Sequence, residues 1–118
     1  MIKRTHELPS QARESIRGGQ GRAVAVDILG ADEMAGVAAM SVLTLEPGTW
    51  IGEHLHTETE EVYLVLDGQG TGSLDGESFA VGPGDAWVVR SGHTHGLRNS
   101  PDTPLRFLAL LTRSESAL

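Results

Sequence analysis

Four of the five histidines in this 118-residue chain fall between residues 54 and 95. His54 and His56 stand two residues apart in the stretch from Gly48 to Gly68. Glu61 follows at the mouth of an apolar run, Val62-Tyr63-Leu64-Val65-Leu66. On a β-strand, side chains i and i+2 leave the same face about 6.6 Å apart, at about 3.3 Å per residue. Two imidazoles so placed can converge on one ion, each nitrogen about 2.0–2.1 Å from it. Glu61 opens the next strand after a short connection and can swing a carboxylate to the same point. A second cluster, Ser91-Gly92-His93-Thr94-His95, supplies two further imidazoles.

The elements that must carry these residues read as β from residue 23 onward. Strands are expected at Ala23–Leu29, Val37–Leu45, Trp50–His56, Glu61–Leu66, Thr71–Leu74, Glu77–Val81, Ala86–Val89 and Leu105–Thr112. Glu46-Pro47-Gly48, Asp67-Gly68 and Gly82-Pro83-Gly84-Asp85 are turns, and Asp75-Gly76 is a strong two-residue hairpin signal. Ala31–Gly36 is a loop with room for one helical turn. Short strands and 15 glycines make an all-β sandwich or barrel in which helices are nearly absent. In residues 1–22, Ile2–His6 can form a short edge strand that Pro9-Ser10 ends. Gly18-Gly19-Gln20-Gly21 lacks the Lys-Ser/Thr ending of a phosphate loop and reads as a flexible turn. Residues 23–112 are the core, and 113–118 form a tail expected to fray.

Composition narrows the function. The chain has the length of one domain, 1–118, able to bury its own apolar core. With no cysteine, disulfides, thiolate metal sites and cysteine nucleophiles are excluded. No secretion signal or membrane span is read, so a cytoplasmic protein is expected. A net charge of −7 argues against a nucleic-acid partner, which needs a basic stripe.

The residues themselves carry a family resemblance. Gly48, His54, His56, Glu61 and Gly68 fit the first cupin motif: Gly, five residues, His-x-His, three or four residues, Glu, six residues, Gly. Gly84, Gly92, His95 and Asn99 fall at the offsets of the second; Arg90 stands where that motif has proline. The chain thus resembles a small single-domain cupin, a jelly-roll barrel (double-stranded β-helix). The resemblance implies one metal inside the barrel, held by His54, His56, Glu61 and His95. It also implies a homodimer, with residues 1–8 the segment to nominate for strand exchange. Three imidazoles and one carboxylate suit Mn or Fe, which we favour, or Zn, Ni or Co, and are too nitrogen-rich for Ca²⁺ or Mg²⁺.

Residues around that set follow by parity. Tyr63 shares parity with Glu61 and points inward, as core or as a phenol donating to substrate. Trp50 and Met40 are candidate walls of a substrate pocket. Trp87 reads as core or dimer interface. His93, on an extended backbone, faces the same side as His95 and could be a fifth ligand, a general base or a pocket wall; a loop at Gly92 would turn it outward. Glu53, Glu58 and Glu60 read as a solvated face, and Asn99 as the residue fixing the loop after the second motif. The sequence does not decide where Arg98 and Arg106 point.

The expected activity is that of a metal-dependent isomerase, lyase or dioxygenase on a small oxygenated metabolite: a keto or hydroxy acid, a sugar acid or a diketone. The ion would chelate two oxygens and stabilise an enolate or activate O₂, with His93 or Tyr63 moving the proton. The alternative is a non-catalytic cupin that binds or senses a small molecule.

Overall fold

Period-two alternation builds two faces per strand, and the fold uses both. The computed structural model describes residues 1–117. Its strands are β1 (Gln11–Glu14), β2 (Arg22–Leu29), β3 (Val37–Leu45), β4 (Trp50–Leu55), β5 (Thr59–Asp67), β6 (Gly70–Leu74), β7 (Glu77–Val81), β8 (Ala86–Val89), β9 (Thr94–Asn99) and β10 (Leu105–Arg113). They form two antiparallel sheets, β1-β2-β3-β10-β5-β8 and β4-β9-β6-β7. The turns and strands implied an all-β sandwich or barrel, and this is the jelly roll that the family resemblance implied. Asp75 and Gly76 link β6 to β7 with φ of 49° and 83°, the left-handed pair a two-residue hairpin requires.

The inner faces make the core. Leu43, Leu45, Tyr63, Val65, Trp87, Leu105 and Phe107 from the larger sheet meet Ile51, Val81 and Leu97 from the smaller. Phe107, Leu45 and Leu105 are completely buried. Each such side chain contributes about 1.5–3 kcal/mol of apolar burial, so closure of the barrel and burial of the site between its sheets are one event.

The outer face of the larger sheet is apolar as well. Strand register aligns Leu29, Met40, Leu110, Val62 and Val88 in one row across five strands, and Val26, Val42, Leu108, Leu64 and Ala86 in a second. Met40 therefore belongs to the outside. Its neighbours Ala39 and Ser41, one place away in the pleat, are the ones that face the barrel interior. Parity along β3 says nothing about β5 until the register between them is known, and that register pairs Met40 with Leu110 and Leu110 with Val62, one place away from the inward row of Ala39, Leu111 and Glu61.

The chain ends also differ from expectation. Ile2–His6 forms no strand: Thr5–Glu7 is a 3₁₀ turn, and Lys3 donates to the Ile28 carbonyl at 2.6 Å and pairs with Glu33. The edge strand is Gln11–Glu14, beyond Pro9, where Arg13 can reach Asp27 on β2. Within the nominated exchange segment, residues 1–8, Lys3 is the side chain anchored on its own chain, while Met1 and Ile2 are exposed. At the other end β10 runs through Arg113, Ser114 is buried, and Glu115–Ala117 forms a 3₁₀ turn; Leu118 lies outside the described residues. The 31–36 loop is made of turns without a helix.

Between β1 and β2 the chain makes a tight strap. Ser15 and Arg17 adopt left-handed φ of 50° and 54°, and Ile16–Gly18 closes as a 3₁₀ turn. Gln20 pairs with Trp50 through reciprocal main-chain hydrogen bonds of 3.1 and 2.9 Å, which lay the strap on β4. The glycine-rich run that reads as a flexible turn is thus a pinned one.

Candidate metal centre

β4 and β9 set the imidazoles. His54 and His95 are directly opposed across the strand pair, as are Ile51 and Leu97. Between these two pairs lie Gly52 and Glu53 on β4 but only Gly96 on β9, so β4 carries a β-bulge. The extra residue changes which parity faces inward: Ile51 before the bulge, His54 and His56 after it. Trp50, at the same parity as His54 in sequence, consequently lies outside the barrel. There the Arg98 guanidinium stacks over its ring at 4.2 Å from the centroid. Trp50 is not a wall of the site, and the bulge is the reason.

Four ligand atoms meet. His56 Nε2 is 3.0 Å from His95 Nε2, which is 3.1 Å from His54 Nε2. Glu61 Oε1 lies 3.2 Å from His95 Nε2 and 3.4 Å from His56 Nε2. All four atoms fall within 4.8 Å of one another. Donors at right angles around an ion with bonds of about 2.1 Å stand about 3.0 Å apart, so the cluster has the dimensions of a coordination set. The second nitrogens support the same use. His54 Nδ1 is 2.7 Å from the Gly52 carbonyl, which can only accept; Nδ1 therefore carries the proton and Nε2 turns a lone pair into the cluster. His56 Nδ1 is held by Thr59 Oγ1 at 2.9 Å. His95 Nδ1 is buried and has no hydrogen-bond partner among the described residues.

Protonation matches. Burial holds the His54 imidazole below its ordinary range, and lowers His56 to about 4 against the opposing pull of the Glu61 carboxylate. Both rings are neutral at pH 7, the state a metal ligand needs. Tyr63 stacks on His95 with ring centroids 4.5 Å apart and meets Phe107 and Trp87 edge-on. Burial first, then the charge of Glu61 and the hydrogen bond to it, raise the phenol well above its ordinary pKa. Tyr63 therefore keeps its proton and presents it to the Glu61 carboxylate.

The cluster opens into a cavity of about 200 Å³. Leu43, Ile51, Phe107, Ala109 and Leu111 supply apolar wall, Ser41 and Tyr63 supply hydroxyls, and Arg13 and Arg17 line its solvent-facing side. The two arginines and Ser41 were not singled out in the sequence. Arg13 and Arg17 come from the segment before residue 22, whose position over β4 depends on the close approach of Gly19 and Gly52 main chains, a contact between distant residues that the sequence shows only as two glycines.

His93 is elsewhere. Gly92 takes φ of 89°, His93 N bonds back to the Arg90 carbonyl at 3.1 Å, and β9 begins only at Thr94. The His93 ring turns outward, half exposed, and its Nδ1 pairs with Asp75 Oδ2 at 2.6 Å. It does not line the cavity, so neither a fifth-ligand nor a proton-transfer role is available to it in this arrangement. Arg90, in place of the motif proline, pairs with Glu60 at 3.1 Å, while Glu53 and Glu58 are solvated. Asn99 is buried and its Nδ2 lies 3.1, 3.1 and 2.8 Å from the carbonyls of Leu45, Glu46 and Thr103, which fixes the loop after β9 as expected. Arg106 is exposed on the outer face.

Comparison with known proteins agrees with this architecture. Residues 41–111 match the cupin domain family, and the chain belongs to it. Among its relatives, an oxalate-binding protein of Thermotoga maritima is 30% identical over 112 residues, spanning 94% of this chain and 93% of the relative. The crystal structure of a predicted oxalate decarboxylase from T. maritima superposes with a TM-score of 0.92 at 28% identity, covering 96% of this chain and 99% of the other. The polyketide cyclase RemF of Streptomyces resistomycificus is similar at a TM-score of 0.74 and 25% identity, covering 98% and 81%.

Proposed function

We propose that this cupin holds one divalent transition metal through His54, His56, Glu61 and His95 and uses it to bind a small carboxylate of the oxalate class. The carrying observation is the convergence of three imidazole nitrogens and one carboxylate at the base of a cavity of about 200 Å³. That volume lies below the range of about 300–1,000 Å³ typical of drug-sized ligands, which favours an acid of a few heavy atoms. A bound ion would supply Lewis acidity and chelation for adjacent ligand oxygens. Mn or Fe remains the favoured ion, because four protein donors would close a tetrahedral site but leave positions open on an octahedral one. The chain's own contributions are the apolar wall, which excludes water, and the Tyr63 phenol, whose hydrogen bond steadies the Glu61 carboxylate. The relationship to an oxalate-binding protein supports the ligand class.

Binding, rather than turnover, is the reading the cavity favours. With His93 outside, the lining holds no carboxylate other than Glu61 and no imidazole other than His54 and His56. Catalysis is the second reading, and Tyr63 is the observation behind it: a buried phenol that keeps its proton beside Glu61 can protonate a carbanion formed at the ligand. Elemental analysis of purified protein, followed by calorimetric titration with oxalate, tests the first reading. Less than one equivalent of metal after loading, or no heat with oxalate, overturns it. An assay for release of CO₂ from the bound acid separates the second reading from the first.

We also propose that the working unit is a cytoplasmic homodimer built on the outer face of the larger sheet. Its two aligned apolar rows cover on the order of 300 Å² of sheet, with strands about 4.8 Å apart. The largest apolar patch of a monomer is about 300–600 Å² and is often functional. A second copy offers the same rows and satisfies both faces by a two-fold axis. Among the described residues no helix is long and apolar enough to cross a membrane.

A further inference from the structure

The two arginines on the cavity differ in a way that points to a ligand. Arg13 is already neutralised: its guanidinium grips Asp27 with both carboxylate oxygens, at 2.9 and 2.7 Å, and Asp27 also accepts the Ser41 hydroxyl at 2.7 Å. Arg17 is exposed and has no acidic partner among the described residues, yet its side chain lines the same cavity as His54, His56 and Glu61. Its charge is felt at His54, His56 and Tyr63.

Arg17 is also held there at a conformational cost. A left-handed φ of 54° on a non-glycine residue is uncommon and strained by about 1 kcal/mol or more. Three contacts over-determine it. Gly18 N bonds the Ser15 carbonyl at 3.2 Å, Gly19 N bonds the Ile16 carbonyl at 3.0 Å, and Gln20 is paired with Trp50. Gly19 and Gly52 have no Cβ where one would collide: at Gly19 it would fall 2.0 Å from the Trp50 carbonyl oxygen, and at Gly52 2.1 Å from the Arg17 carbonyl oxygen. A flexible surface loop needs none of this.

We infer that Arg17 is the specificity-determining residue of the site, a fixed cation on the strap that selects small dianionic dicarboxylates over monocarboxylates. The inference rests on the metal-and-carboxylate reading above and deepens it. Charge supports it. A divalent ion and Glu61 together leave one positive charge, Arg17 adds a second, and a dianion balances both. The remaining wall is apolar apart from Ser41 and Tyr63, so a second ligand charge has no other unpaired cation to meet. Arginine suits the task because its planar fork accepts a carboxylate with two parallel hydrogen bonds.

The test uses Mn²⁺-loaded full-length protein and calorimetric titration with oxalate and with glycolate, which offers a similar pair of chelating oxygens but one charge less. Arg17→Gln should weaken oxalate about tenfold or more and glycolate by less than about threefold. Arg17→Lys should recover most of the oxalate affinity. Mn²⁺ content and thermal midpoint should match wild type in both variants, since Arg17 is exposed and touches no ligand atom of the ion. Gly19→Ala supplies a second handle: displacing the strap should weaken oxalate by a larger factor than glycolate, each titrated against Mn²⁺-loaded variant. Wild-type affinity for oxalate in Arg17→Gln, or an equal loss for glycolate, overturns the inference and leaves the carboxylate reading standing. Failure of loaded wild type to bind either acid overturns both.

Discussion

Gly52 and Arg17 meet main chain to main chain, close enough that a Cβ on Gly52 would lie 2.1 Å from the Arg17 carbonyl oxygen. The same glycine turns its own carbonyl onto His54 Nδ1 at 2.7 Å. Strap and metal ligand are therefore fastened at one residue. Gly52→Ala is expected to lower stability by about 1–3 kcal/mol through overpacking, and to weaken metal binding as His54 loses its orienting acceptor. Urea unfolding and chelator competition measure the two effects. An unchanged midpoint would show that the strap moves aside freely.

Glu61 contributes the only carboxylate among the four converging groups. Glu61→Gln keeps volume and hydrogen-bonding capacity while removing the charge. Metal affinity should fall by more than about 100-fold, beyond the 10–100-fold typical of residues that merely support a ligand. Retention of wild-type affinity in a competition titration would remove Glu61 from the set.

Asn99 bridges the end of β3 and the loop before β10 from a buried position. Asn99→Ala leaves three carbonyls short of a donor, and stability should drop by about 2–3 kcal/mol in urea. Metal stoichiometry of the folded variant should stay at the wild-type value, because no ligand atom contacts Asn99. Loss of metal from a well-folded variant would contradict this.

Asp27 is held below its ordinary carboxylate range, chiefly by the Ser41 hydroxyl and then by Arg13. A lowered folded-state value stabilises the protein above the unfolded value, about 3.9, and that contribution disappears as pH falls through the folded one. Asp27→Asn should thus be less stable than wild type at pH 7, by at most about 1 kcal/mol given solvent screening of this half-exposed pair. Its deficit should shrink below about pH 4. Urea midpoints at pH 7, 5 and 3 decide; a deficit that persists undiminished at pH 3 rules the linkage out.

Leu110 lies at the middle of an outer apolar row, between Met40 and Val62. Leu110→Glu should convert a dimer to a monomer in light scattering, since two buried carboxylates would face one another across the axis. A dimer that survives would place self-association on another surface.

What was legible in the chain depended on how local the cause was. The all-β character followed from alternation and from glycine turns such as Asp75-Gly76, which act within two or three residues, and the jelly roll from the family resemblance. The four converging groups followed from the motif spacing, and Tyr63 from its parity with Glu61 along one regular strand. Trp50 failed because its parity was carried past a bulge, and Met40 because parity was carried between strands whose register the sequence does not give. His93 turns outward by the alternative its sequence also offered: the left-handed Gly92 makes a turn, and extended backbone begins only at Thr94, one residue too late to aim the ring inward. Arg17 was beyond reach, since its place depends on a contact between residues 19 and 52 that no local rule reports.

The bulge at Gly52–Glu53 has a consequence for engineering. Excising Glu53 would give β4 ordinary pleating, with Ile51 and the first histidine still alternating onto the barrel side. The rings would keep their address but lose the carbonyl that aims one of them. Such a shortened chain uncouples where a donor sits from how it is turned, two properties that nature here ties to one supernumerary amino acid.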